Sequence, residues 1–392
     1  MADFVVIATA DWDHLLWTNK QHTSLSLVAN GHRVLYVESL GLRLPRATSA
    51  DGLRIFRRFW GMLHPPRQVQ SNLWIWSPPV LPGGTQGFAI TLNRRLLRTG
   101  LSLTLRWLGF CNPLLWTYNP LTQLYIDISD FSGSIYHCVD SIQDQPGMPS
   151  ALIEHGERNL CVAVNLVLTT APKLQQKLEL LNPHTYFFGN VADAKHFGQA
   201  SESNLLCPGD LANIRQPRLL FTGALDAYKL DLVMLETLIR NTPQWSYVLV
   251  GPVVECDPST DLSRILTLPN AYVIGAKPYR ELPSWLAHSD VALLPLRLNS
   301  YTQQMFPMKF FEYLASGCPT VATAIPSLQP HADVALLCAP SAKEFEVAIR
   351  QALAGEGPSH TMRLQRASEH TYDQRSRRIL KLLTQLGLLP DQ

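Results

Sequence analysis

DVALLPLRLNSYTQQMFPMKFFEYLASGCPTVAT, residues 290–323, is the stretch that decides the fold class. Asp290–Pro295 is an apolar run of buried-strand length, and Pro319–Thr323 is a second. Between them Pro307 is expected to open a helix that Gly317 closes, the usual placing of proline at a first turn and glycine past a last one. Strand, helix, strand in this order predicts a parallel α/β sheet. Lys309 and Glu312 stand three residues apart and share a face near the helix start. A helix N-terminus with a lysine suits phosphate oxygens, and a carboxylate there suits hydroxyls such as those of a ribose. The combination points to a nucleotide site. The plain alternative is a solvated Lys–Glu pair on a surface helix.

The same alternation extends upstream. Arg218–Thr222 leads to Gly223, Tyr247–Val250 to Gly251, and Ala271–Ile274 to Gly275-Ala276-Lys277-Pro278. Three strands ending at glycine let a ligand approach the backbone. The phosphate-binding signatures Gly-x-x-x-x-Gly-Lys-Ser/Thr and Gly-x-Gly-x-x-Gly are both missing, so ordinary NTPase and dinucleotide sites are not indicated. In the other half, Phe4–Thr9, a helix over Asn19–Asn30 and Arg33–Val37 form a β-α-β opening, and Leu114–Tyr118, Ser134–Val139 and Asn165–Thr169 read as further strands. Residues 191–216, polar and broken by Pro208-Gly209, read as a linker. The expected domains are 1–190 and 217–372, both Rossmann-like, with a helix over 373–392 packing back on the first. Two such halves are expected to set their strand-end loops across a cleft, a favoured place for a ligand.

Composition excludes more than it assigns. The 392 residues are 46% hydrophobic and 16% charged, with a net charge of +2. The charged fraction lies below the roughly 25% usual for soluble chains. Seven scattered cysteines without a Cys-x-x-Cys indicate neither a disulfide framework nor a zinc site, and fit a reducing cytosol. MADFVVIATADWD does not read as a signal peptide, and no apolar run reaches the about 18 residues of a spanning helix.

Strand-end loops of the first half offer further candidates. Asp11 and Asp13, in ADWDHLLWTNK, read as a cap or substrate contact in preference to a metal pair. Tyr118-Asn119 follows one strand. Asp140 follows another, where a catalytic or orienting group stands in an open sheet; the alternative is an N-cap. Residues 41–110 hold ten arginines, no lysine and one acid, with Phe56, Phe59, Trp60, Trp74, Trp76 and Trp107 interleaved. Asn93–Leu108 fits an amphipathic helix with Arg95, Arg98 and Arg106 on one face, beside Arg94, and leucines on the other. Such a helix either packs on its sheet with arginines in water or meets an anionic membrane. No nucleic-acid motif accompanies it.

The series FTGALDAYK, YVLVGPV, YVIGAKPYRELPSWLAHSDVALLPL and PMKFFEYLASGCPTVAT, over about Arg218–Thr323, resembles the GT-B glycosyltransferases of the retaining family-4 type. FFGNVADAKHF (187–197) is similar to the family's junction motif, and LYIDISDFSGSIYHCVDS to a variant of cell-surface polysaccharide enzymes such as teichuronic-acid biosynthesis proteins. The resemblance implies retaining, metal-free transfer from a UDP- or GDP-linked sugar, with no resident cofactor. Glu312 would hold the donor ribose, and Lys229 would neutralise the diphosphate. Amides around Phe306, Pro307, Met308 and Lys309 would meet the phosphates, and Lys277 and Pro278 would line the base. Gly223 and Gly251 belong to the same donor set. The chain departs from the pattern where Gln304 replaces a glutamate, Ala224 an arginine and Asp140 a histidine. The function expected is sugar transfer to a cell-envelope or exopolysaccharide acceptor, glycan or lipid-linked. The expected setting is the cytoplasm, with peripheral contact at the inner face of the membrane and no nucleic-acid partner. The alternative is a non-catalytic protein of the same fold that binds or scaffolds pathway components.

Overall fold

Continuous Val/Ile/Leu runs bounded by turn residues suit strands buried on both faces, and such strands form parallel sheets. The computed structural model bears this out. It describes all residues except 15, 41–64, 79, 81–86, 203, 254–256, 258 and 391–392. The chain divides into two units, Met1–Phe188 with Ser376–Gln392, and Gly189–Arg375.

The first unit contains β1 (Asp3–Ile7), α1 (Asn19–Ala29), β2 (Arg33–Val37), β3 (Arg67–Gln70), β4 (Leu73–Trp76), α2 (Gly87–Leu108), β5 (Leu114–Thr117), β6 (Gly133–Cys138), α3 (Ser150–Ala163), β7 (Leu166–Thr169), α4 (Pro172–Leu178) and β8 (Thr185–Phe187). Its described strands run β3-β4-β2-β1-β5-β6-β7-β8, parallel except for β3 against β4. Successive strand residues face opposite layers. Phe4, Val6, Val34, Tyr36 and Trp116 fill one layer, and Val5, Ile7, Leu35 and Val37 join Leu97 and Leu101 of α2 in the other.

Residues 66–76 differ from the sequence expectation. Trp74 and Trp76 belong to β4, beside β2, and are not aromatics of a basic surface. Asn72, at φ 65°, turns the β3–β4 hairpin; asparagine tolerates this left-handed geometry. The part of the arginine-rich reading that falls on Arg43, Arg46, Arg54, Arg57, Arg58, Phe56, Phe59 and Trp60 lies outside the described residues.

The second unit contains α5 (Ala194–Gly198), α6 (Gly209–Ala212), β9 (Arg218–Thr222), α7 (Leu232–Asn241), β10 (Ser246–Val250), α8 (Ser263–Leu266), β11 (Ala271–Gly275), α9 (Leu282–Ala287), β12 (Val291–Leu294), α10 (Lys309–Ala315), β13 (Thr320–Thr323), β14 (Leu336–Cys338), α11 (Ala342–Leu353) and α12 (His360–Glu369). Its sheet runs β11-β10-β9-β12-β13-β14, with every pairing parallel. Residues 191–216, expected as a linker, carry α5 and α6 and group with this unit. The last helix, α13 (Tyr372–Gln385), spans the division, and its Ile379, Leu380 and Leu383 enter the first unit's core. Among the described residues, no helix is long and apolar enough to cross a membrane.

Candidate functional site

In an open parallel sheet, ligands bind outside the carboxyl ends of the strands. In the second unit those ends carry Gly223, Gly251 and Gly275, all at positive φ. Gly251 has a reason beyond ligand approach. At φ +156°, a Cβ on it would lie 1.7 Å from the Gly223 carbonyl oxygen. The Gly223 amide donates to Val250 O and the Gly251 amide to Gly275 O, each at 2.9 Å. The three loops are thus one backbone-to-backbone stack.

The helix carrying the Lys–Glu pair begins later than expected. Met308 is the N-cap of α10, and Pro307 precedes the helix, its carbonyl accepting from the Phe310 amide at 3.1 Å. Gly317, at φ +74°, ends it, and a Cβ there would meet His360 of α12 at 2.2 Å. Arg363 of α12 donates to the Gly317 carbonyl at 2.9 and 2.7 Å, which fixes that end. The face between is buried. Tyr313 accepts at its hydroxyl from the Thr222 amide, 2.8 Å away, which ties α10 to the end of β9. Burial pushes the Tyr313 phenol well above its ordinary range.

Glu312 is 2% exposed, which rules out the solvated-pair alternative. A buried carboxylate is costly unless it is paired. Lys309 supplies the partner, Nζ to Oε2 at 2.6 Å, and keeps 22% of its side chain exposed. The segment leading to α10 is pinned along its length. Thr323 Oγ1 donates to Leu296 O (2.8 Å), Ser327 Oγ to Met305 O (2.7 Å) and Asn190 Nδ2 to Phe306 O (2.5 Å). Phe306 and Pro307 are buried, and Phe306 stacks on Phe311 at 5.3 Å. Gln304 closes a short 3-10 turn, its Nε2 donating to Ser300 O at 3.2 Å.

The lysines are held differently. Lys277 is ion-paired with Asp210 and lies 5.6 Å over Trp285, while Pro278 beside it is exposed. The next residue, Tyr279, stacks on His196 at 4.4 Å and gives its carbonyl to that ring at 3.0 Å. Lys229 lies 5.1 Å over Tyr228 and 5.6 Å over Tyr301. Its turn is built on Asp226, 1% exposed, which accepts from Tyr228 N and Thr260 Oγ1. Burial raises the Asp226 carboxyl above its usual range. Among the described residues no group of three or more His, Cys, Asp or Glu is placed to hold a metal ion.

Residues 216–355, which hold all of these loops from Gly223 onward, match the family described as "Glycosyl transferases group 1". This segment is a group 1 glycosyl transferase domain. A curated relative, TuaH of Bacillus subtilis (strain 168), described as a teichuronic acid biosynthesis glycosyltransferase, is 33% identical over 99 residues. That match spans 25% of each protein, so the chain covers about a quarter of the relative's length. Sucrose-phosphate synthase from Thermosynechococcus elongatus superposes with a TM-score of 0.69 at 16% identity, over 99% of this chain and 100% of that one. Anabaena HepE in complex with UDP gives 0.65 at 14% identity, over 98% and 100%. At this identity the likeness shows the fold, which is GT-B.

Residues 216–355 therefore hold Gly223, Lys229, Gly251, Lys277, Pro278, Gln304, Phe306, Pro307 and Met308 in the connections between strands of a single sheet, and Lys309 and Glu312 on α10. The first unit holds the remaining candidates. Asp140 follows β6 and is half-buried; the cap of the next turn is Ser141, so the N-cap alternative for Asp140 falls. Tyr118 and Asn119 are each 1% exposed. Asn119 Oδ1 accepts from the Leu121 amide at 2.8 Å and so shapes the turn after β5, while the Tyr118 ring stacks on His137 of β6 at 4.9 Å. Asp13 pairs with Arg67 at 2.6 Å on the surface, and the Asp11 carbonyl takes Gln21 Nε2 at 3.1 Å. Arg94, Arg95, Arg98 and Arg106 are exposed on α2, with Arg98 near Asp130 at 3.2 Å.

Sequence reasoning missed Asn190, His196, Asp226 and Tyr301, which contact the candidate residues or their neighbours in the second unit. FFGNVADAKHF was seen only as a junction, although its asparagine is the residue that grips Phe306. Tyr301 lies between β12 and α10, and nothing in local spacing pairs it with a lysine 72 positions earlier.

Proposed function

We propose that this protein transfers a sugar from a nucleoside-diphosphate donor to a cell-envelope or exopolysaccharide acceptor, with retention of anomeric configuration. The observation that carries the reading is the buried Glu312–Lys309 pair on α10, tied by Tyr313 to the end of β9. Glu312 accepts from the ribose hydroxyls. Lys309 and Lys229 lie against the diphosphate, where negative charge grows as the sugar leaves. Fixed positive groups stabilise that charge more in the transition state than in the ground state, which lowers the barrier. These lysines supply the counter-charge, so the reaction as proposed needs no metal ion. Lys277 and Pro278 border the base, and Gln304 faces the sugar.

Asp140, at the end of β6, is the acceptor-orienting group of this scheme. Asn119 shapes the turn after the neighbouring strand β5, and Tyr118 packs on His137 of β6. The acceptor is a glycan, carried on a lipid where it meets a membrane, and the exposed arginines of α2 are the surface that meets it. The relationship to TuaH supports the envelope-polysaccharide setting, and the UDP complex of HepE supports the donor class.

Calorimetric titration with UDP and GDP tests the reading. One of them is expected to bind, and Glu312→Gln, which keeps the side chain's size, should weaken binding about tenfold, the worth of hydrogen bonds to a charged acceptor. Failure of both nucleotides to bind the wild-type protein would end the transferase reading. Release of that nucleotide from a panel of its sugar conjugates separates turnover from passive binding.

A further inference from the structure

Resting on the reading of Lys229 as the diphosphate-neutralising group, we propose that Tyr228 and Tyr301 are positioning residues that seat its ammonium for the β-phosphate of the donor. The two rings meet edge to face, with centroids 5.1 Å apart and an interplanar angle of 67°. Lys229 Nζ lies over both, 5.1 Å from one centroid and 5.6 Å from the other. An aromatic face attracts an ammonium through its quadrupole and adds no negative charge of its own.

A lysine needs such a seat more than an arginine does. Its charge rides on a flexible four-carbon stem, and nothing in the ammonium's shape selects a direction, whereas the planar guanidinium fork is pre-organised. Here the two rings come from two loops that the backbone binds together. The Arg297 amide donates to the Lys229 carbonyl at 2.9 Å, and Asn299 Nδ2 donates to the Tyr228 carbonyl at 2.7 Å. The Lys229 amide in turn donates to the Asp226 carbonyl at 3.0 Å. Thr302 locks the second loop through Asn299, whose Oδ1 accepts from the Thr302 amide at 2.9 Å. Tyr301 is 2% exposed, and its carbonyl accepts from the Gln304 amide at 3.0 Å. The seat therefore links Lys229 to the turn that carries Gln304, three residues along the same loop. Diphosphate recognition and the sugar-facing turn share one rigid support.

The test compares affinities for UDP and UMP, or for GDP and GMP if the base is guanine, because only the β-phosphate distinguishes each pair. Lys229→Ala should collapse the diphosphate preference. Tyr228→Leu and Tyr301→Leu should each reduce it about fivefold, while Tyr228→Phe and Tyr301→Phe, which keep the ring face, retain it. A role confined to folding would change melting temperature and leave the ratio alone. If a leucine variant does not fold, stepwise fluorinated phenylalanines at the same positions keep the shape and weaken the ring's negative face. The preference should then fall with each fluorine, and a constant ratio overturns the seat. If Lys229→Ala lowers the ratio and the ring variants do not, the seat is wrong and the donor reading stands. If Lys229→Ala leaves the ratio unchanged, the placing of Lys229 at the diphosphate is itself wrong.

Discussion

His331 stands where three phenylalanine rings meet, with centroids 5.7 Å from Phe306, 5.6 Å from Phe310 and 5.2 Å from Phe311. Burial, then neighbouring His370, then the Arg366 guanidinium 3.1 Å from Nδ1 lower its pKa to about 4, with Asp333 opposing weakly. The folded protein thus favours neutral His331, while an unfolded chain protonates it near the ordinary value of about 6.5. Below that value the unfolded state binds more protons, so stability falls as pH drops from about 6.5 and levels off near 4. Discounted for partial exposure, the loss should be roughly 1–2 kcal/mol. Denaturant titrations at pH 7.5 and 4.5 measure it, and His331→Phe should flatten the difference. Equal pH dependence in both proteins would remove His331 as the cause. The same residue scale shows what a sequence exposes. Glu312 and the strand-end glycines were legible because helix spacing and strand ends are local patterns. Asn190, which holds Phe306 from 116 positions away, was not, because only the folded chain makes them neighbours.

Elements were legible to the degree that they were buried on both faces. β2 and β9 were read to the residue, being continuous apolar runs between turn formers. β3, β4, β8 and β14 were missed: β3, β8 and β14 are edge strands of three or four residues, while β4, inside the sheet beside β2, lay in the arginine-rich stretch where Trp74 and Trp76 read as surface aromatics. For α2 both readings of the sequence had physical content, and the structure divides them. The apolar face is spent on the core, with Leu97 and Leu101 buried. What remains outside is Arg94, Arg95, Arg98 and Arg106 with Leu103, 60% exposed, and Trp107, 64% exposed. A bilayer would therefore meet cations flanked by one aliphatic and one aromatic group, a surface for anionic headgroups in preference to deep insertion. Each arginine near such a surface is worth about 1 kcal/mol. Reversing Arg95 and Arg98 to glutamate should lower binding to phosphatidylglycerol vesicles at least about tenfold, with little change in stability because the Arg98–Asp130 pair is solvent-exposed. Vesicle binding that survives the double reversal, read by co-sedimentation, would sink the membrane proposal.

At the scale of the whole molecule, the chain's return to its first unit carries a cost that can be measured. Residues Ser376–Gln392 belong to the unit that begins at Met1. Ile379, Leu380, Leu383 and Leu389 lie in the same core as Phe4, Val34 and Trp116. Leu388 packs so closely on Gly133 at the start of β6 that a Cβ there would come within 2.9 Å of it. Burying four large aliphatic side chains contributes roughly 6–12 kcal/mol, against a net stability of about 5–15 kcal/mol for a typical domain. The tail is therefore a structural part of the first unit and not an appendage of the second, which precedes it in the chain. Ending the chain at Arg375 should unfold the first unit and spare the second. Hydrogen exchange would show amide protection lost over β1, β2, β5 and β6 and kept over β9, β10 and β12. Nucleotide binding, if it resides in the transferase domain, should survive the truncation in attenuated form. Full protection of β1 and β5 in the shortened chain would mean that the first unit's core closes without its last helix.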